Sequence, residues 1–189
     1  MARKKEYIEE EVIEKAMELF WRNGYEATSV RMLEKEMGIN QFSIYSSFGN
    51  KKGVFLKSLA CYRAKAKVEL IDKLKNSSGG IQSIKEYFYD FINFSKDSTR
   101  TKKGCLITNT VNELGEKADT EIMSNIISFA TNVKTLFIEK LESNKLKTPE
   151  MITKQANYLM VSLQGLSVAS KMFDQKQLDD FIESTFENL

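Results

Sequence analysis

Residues 37–68 read MGINQFSIYSSFGNKKGVFLKSLACYRAKAKV, and this stretch decides the fold. It opens on Gly38-Ile39-Asn40, where glycine suits a tight turn, Ile39 plugs a core and Asn40 can cap a short polar helix over Gln41 to Ser47. Gly49 and Asn50 break that helix, and Asn50 can cap a longer one from Lys51 to about Lys75. The stretch holds six basic side chains (Lys51, Lys52, Lys57, Arg63, Lys65 and Lys67) and no acid, whereas residues 1–36 carry seven basic side chains against nine Glu. The overall formal charge of +2 therefore conceals a basic zone, and a polyanion responds to the local field rather than to the total.

Upstream, Ile8, Val12, Ala16, Leu19 and Phe20 share one face of a helix expected over about Glu6 to Asn23, closed by Gly24. Thr28 is the expected cap of a second helix that turns Val30, Leu33 and Met37 inward. Two short helices joined by a glycine turn make the helix-turn-helix plan, whose second helix enters the major groove. Downstream, Asn76-Ser77-Ser78-Gly79-Gly80 is a loop, followed by a helix over about Ile81 to Phe94 and a polar loop from Ser95 to Lys103. Further helices are expected over Cys105 to Leu114, Thr120 to Leu141, and Pro149, capped by Thr148, to about Met172. Asp174 and Gln177 form a capping box for the last one.

One proline and nine glycines in 189 residues leave few of the turns that many-stranded folds need, so an all-α chain is expected. No apolar run reaches the length of a membrane span, and the charged N-terminus does not suit a signal peptide, so a cytoplasmic location without membrane contact is expected. Histidine is absent, which excludes Ser-His-Asp and Cys-His catalysis and the usual zinc sites. Cys61 and Cys105 are too few for a disulfide scaffold and show no CxxC spacing. Neither an enzyme nor a cofactor is expected.

Gly24-Tyr25, Thr28-Ser29-Val30, the run from Gly38 to Phe48 and Asn50-Lys51 together resemble the DNA-binding domain of the TetR/AcrR family over roughly Ile8 to Phe55. More weakly, Lys103 to Asn109 and the last two helices resemble one C-terminal subtype of that family. The resemblance implies a dimeric transcriptional regulator, usually a repressor, with a C-terminal helical domain that binds a small ligand and dimerises. The family often has a small residue where Phe42 stands and Tyr or His where Ser47 stands, so the base contacts and one phosphate contact differ here.

The expected architecture is a three-helix helix-turn-helix DNA-binding domain (1–50) and a C-terminal helical ligand-binding and dimerisation domain (51–189), with helix 51–75 as connector. Gln41, Phe42 and Ser43 are placed on base edges: Gln can pair bidentately with adenine and Phe can pack on a thymine methyl, although Phe42 could equally be core. Thr28, Tyr45 and Lys51 are placed on phosphates, and Ser29, Asn40 and Ser46 complete the DNA-facing set. Cys105, Asn109, Phe88, Phe91, Phe129 and Lys171 are candidates for binding or sensing an effector. Cys105 is either a small buried hydrophobe or a reactive thiol activated by a helix start and by Lys102, Lys103 and Lys171.

These readings converge on a homodimeric repressor, paired through its last two helices, that leaves a pseudo-palindromic double-stranded operator when a small apolar effector of unknown identity binds. Leu163 is expected at the dimer contact. The alternatives are a thiol-based oxidant or electrophile sensor acting through Cys105, a helical adaptor, and a cysteine-dependent enzyme.

Overall fold

The computed structural model describes residues 7–96, 103–143, 145–187 and 189. Lys102, most of the loop expected from Ser95 to Lys103, and Glu6, the expected first residue of the first helix, lie outside the described residues. The chain is all-helical over the described residues.

The head consists of α1 (Glu9–Asn23), α2 (Val30–Met37) and α3 (Gln41–Phe48) around a core of Val12, Ala16, Phe20, Leu33, Met37 and Ile44. Ser29, not Thr28, caps α2, its side chain accepting from Met32 N, because Thr28 has turned inward and its hydroxyl donates to Gly24 O at 2.6 Å. Ile8 is the N-cap of α1 and stands exposed instead of joining the core. α4 (Lys51–Ala66) begins inside the head, where Phe55 packs edge-on against Phe20.

α4 does not run on as one α-helix. A π turn (Lys67–Ile71) leads into α5 (Asp72–Asn76). Tyr62, Ala66, Leu70 and Leu74 are all buried at a spacing of four. On a helix of 3.6 residues per turn each such step drifts by about 40°, and the wider turn takes up the drift and keeps all four against the body.

The body consists of α6 (Ile81–Phe94), α7 (Leu106–Leu114), α8 (Thr120–Leu141), α9 (Pro149–Ala169) and α10 (Gln175–Glu187). Thr148 caps α9 with Pro149 in its first turn, and Asp174 and Gln177 exchange backbone hydrogen bonds as a reciprocal box before α10. α9 stops at Ala169, short of the expected Met172. Among the described residues no helix is long and apolar enough to cross a membrane.

Candidate nucleic-acid interface and effector cavity

Ile44 and Phe48 anchor α3 in the head core, which leaves Gln41, Phe42, Tyr45 and Ser46 exposed on the opposite side. Phe42 is 78% exposed, so its placement as core is excluded and a large apolar ring projects from the first turn. That turn is fixed twice: Asn40 Oδ1 accepts from Ser43 N at 2.9 Å, and a Glu34 carboxylate oxygen accepts from Gln41 N at 2.5 Å. Gln41 Nε2 donates to the Tyr45 hydroxyl at 2.9 Å. Ser29 and Asn40 are exposed but already serve as caps, Ser43 is half-buried, and the Thr28 hydroxyl is spent in the interior. Thr28 therefore offers no surface hydroxyl to a phosphate, a correction to its expected role.

The basic zone is largely neutralised in space. Lys52 meets Asp119 at 3.1 Å, Lys65 meets Glu14 at 2.5 Å, Lys67 meets Asp72 at 2.7 Å and Lys57 lies 3.9 Å from Glu9. Arg63 donates to Asn125. Lys51, beside the recognition helix, keeps its charge without a carboxylate partner among the described residues: its Nζ donates to Glu26 O at 3.4 Å and lies 4.4 Å from the Tyr25 ring centroid. The absence of acids from 37–68 is a fact of the chain, while the field at the surface is set by acids from α1, from the start of α5 and from the N-cap of α8.

A cavity of about 30 Å³ lies in the body between α4, the π turn and α6 to α9. Three of the candidate effector residues, Phe91, Cys105 and Phe129, line it, joined by Tyr62, Leu70 and Gln164, which sequence reasoning did not single out. Phe88 does not reach it. One residue on from Tyr87, Phe88 points round the helix and packs on Phe137 and Phe186. Asn109 and Lys171 do not line it either, because Lys171 Nζ donates to Asn109 Oδ1 at 2.5 Å and Asn109 Nδ2 to Lys103 O. Leu163, expected at a dimer contact, is on the cavity wall.

Cys105 is 6% exposed and accepts a hydrogen bond from the Tyr62 hydroxyl at 3.2 Å. Burial, then the neighbouring thiol, pushes the Tyr62 hydroxyl well above the ordinary tyrosine range, so it remains a donor. Lys103, expected to activate the thiol, instead turns to α1, where it pairs with Glu18 at 2.6 Å and sits 4.1 Å over the Trp21 ring.

The segment that carries Cys105 also holds the head. Trp21 Nε1 donates to Gly104 O at 3.0 Å. At the far end of α7 the Glu113 carboxylate accepts from Tyr25 N at 2.7 Å and Glu26 N at 2.8 Å, gripping the turn between α1 and α2 by its backbone. Gly24, at φ +85°, makes room: a Cβ there would lie 2.7 Å from a Glu113 oxygen. No spacing pattern in the sequence could join residues 25 and 113.

With the geometry in place, residues 12–57 match the family described as bacterial regulatory proteins, tetR family. Those residues carry the DNA-binding domain of the TetR family of transcriptional regulators. A chain with this domain is a DNA-binding helix-turn-helix transcriptional regulator. It is 30% identical over 113 residues to the uncharacterized HTH-type transcriptional regulator YezE of Bacillus subtilis (strain 168), a match covering 60% of this chain and 58% of YezE. It is 27% identical over 179 residues to the HTH-type transcriptional repressor ComR of Escherichia coli (strain K12), covering 89% of this chain and 82% of ComR. Among solved structures, a cysteine mutant of the TetR family transcriptional regulator CifR, complexed with a 26-bp double-strand operator DNA, superposes with a TM-score of 0.84 at 22% identity over 98% of both chains. That likeness bears on the fold.

Proposed function

We propose that this regulator is a homodimeric repressor that binds a pseudo-palindromic operator and is released when a small apolar effector occupies the cavity. The observation that carries the reading is that one segment, 103–114, both walls the cavity and grips the head. A cavity of about 30 Å³ has room for a water or two, one water needing about 10–15 Å³. Any larger effector must part the walls. Binding then favours a conformer in which Tyr62, Leu70 and the start of α7 have moved, which is a population shift. The names of ComR and of the CifR complex support repression and operator binding by analogy.

At the DNA, Gln41 and Phe42 take base edges, Ser43 lies beside them, and Tyr45, Ser46 and Lys51 take the backbone. The second copy is expected on α9 and α10. Tyr158, Val161, Gly165, Val168 and Met172 form an exposed stripe at helical spacing, with open space above Gly165, while Ile152, Ala156, Leu159 and Leu166 cover the buried side. An isologous contact there would set two recognition helices about 34–36 Å apart, the spacing of successive major grooves. The test is a gel shift with the promoter region beside the protein's own gene at stated salt. Retention that outlasts competitor DNA is expected; equal affinity for random duplex would overturn the reading.

One observation favours a second reading, in which an electrophile alkylates Cys105, forming a carbon–sulfur bond as the thiol proton leaves. The Sγ lies on the cavity wall with a neutral hydroxyl donor aimed at it, and hydrogen bonding from Tyr62 would steady the thiolate that must form.

A further inference from the structure

We infer that Tyr45 decides which purine Gln41 reads: by holding one N–H of the Gln41 amide, it leaves an edge that fits adenine and rejects guanine. The inference rests on the assignment of Gln41 to a base edge made above. A glutamine amide carries two N–H donors and a carbonyl acceptor. In the major groove both purines present the N7 acceptor; beside it adenine presents the N6 amino donor and guanine the O6 acceptor. An unconstrained glutamine can therefore answer adenine with one N–H and its carbonyl, or turn its NH₂ towards the two guanine acceptors.

Here that choice is removed. Gln41 Nε2 donates to the Tyr45 oxygen at 2.9 Å, across one turn of the same helix face. What remains for the groove is one donor and one acceptor, the adenine pattern. The pair stands on a fixed base, since Glu34 accepts from Gln41 N at 2.5 Å and Asn40 caps Ser43 N at 2.9 Å. Tyr45 uses its oxygen as the acceptor, so its own O–H is free to donate to a phosphate. That donation makes the oxygen a better acceptor for Gln41, as linked hydrogen bonds polarise one another. Seating on the backbone thereby tightens the setting of the base reader, and Tyr45 acts on specificity as a positioning residue.

The test is selection from a randomised duplex library, at reduced salt so that loss of one backbone contact does not abolish binding. The full-length wild type is compared with Tyr45→Phe, Gln41→Ala and Lys51→Ala. Gln41→Ala is expected to lose an adenine preference of roughly 5- to 150-fold at one position per half-site. Tyr45→Phe should keep every other position but let guanine in at that one, the adenine-to-guanine ratio falling about tenfold or more, within the range of a bidentate pair. Lys51→Ala should weaken all sequences alike and leave the ratio untouched. If Gln41→Ala loses the preference while Tyr45→Phe keeps the full ratio, the role of Tyr45 is overturned and base reading by Gln41 stands. If Gln41→Ala selects the wild-type motif, base reading by Gln41 falls and this inference falls with it.

Discussion

Lys51 and Lys52 are neighbours in the chain with opposite fates in the fold, and the difference predicts their roles. Lys52 is held by Asp119 and Glu121, the hydrogen bond to Asp119 and then the carboxylate charges raising its pKa and cancelling its field, whereas among the described residues Lys51 has a carbonyl and a ring and no carboxylate. Lys51→Ala should flatten the log–log salt dependence of operator binding by about one unit, and Lys52→Ala should leave the slope nearly unchanged. Binding isotherms across a salt series check both; equal slopes for the two variants would contradict the assignment. At Cys105, the thiol reading predicts that Cys105→Ser abolishes operator release by N-ethylmaleimide while Cys61→Ser does not. Release of the Cys105 variant at the wild-type rate would leave a reversibly bound effector as the account. Local rules were enough to read Asn40, Asn50, Thr148 and the Asp174–Gln177 box, because each cap is decided within three or four residues. Thr28 escaped them because its hydroxyl donates inward to the Gly24 carbonyl and leaves the cap to Ser29, and Phe88 because one helical step separates the cavity wall from the core behind it.

Among the elements, α7 joins α4 in linking the cavity to the head: α4 carries Phe55 against Phe20 and Tyr62 on the cavity wall, and α7 adds the grip of Glu113 on the turn. The Glu113 carboxylate is exposed, so its two hydrogen bonds are worth roughly 1 kcal/mol together, small for stability but enough to hold a turn. Glu113→Ala should speed hydrogen exchange at the Tyr25 and Glu26 amides several-fold, with the exchange of the α8 and α9 amides unaltered, and mass spectrometry of the peptide over the turn reads it. Gly24→Ala should do the same more severely, since its Cβ enters the space of the carboxylate and its φ of +85° disfavours any side chain. Unchanged exchange in both variants would remove α7 from the route. The extents of α6 and α8 were legible from their periodicity, and the four-residue spacing of Tyr62, Ala66, Leu70 and Leu74 shows in hindsight why α4 widens into a π turn. The meeting of residues 103–113 with 18–26 is a matter of packing between distant segments, which periodicity does not encode.

For the molecule as a whole, the placement of Leu163 moves the test of dimerisation along α9. Leu163→Glu would put a charge into the cavity wall, whereas Val161, 73% exposed on the outer stripe, can be charged without disturbing the core. Val161→Glu is expected to yield monomers by light scattering, with helical content preserved and operator affinity lost; a dimer surviving both Val161→Glu and Met172→Glu would place the interface elsewhere. Glu113 has one more consequence. It recognises the head through two peptide N–H groups next to a glycine, so little that is peculiar to the amino acids of that turn enters the bond. A head transplanted from another regulator should stay under the command of this body if it keeps the glycine turn and the Glu18 and Trp21 positions. New target sites could then be acquired by exchange of the reader without rebuilding the receiver.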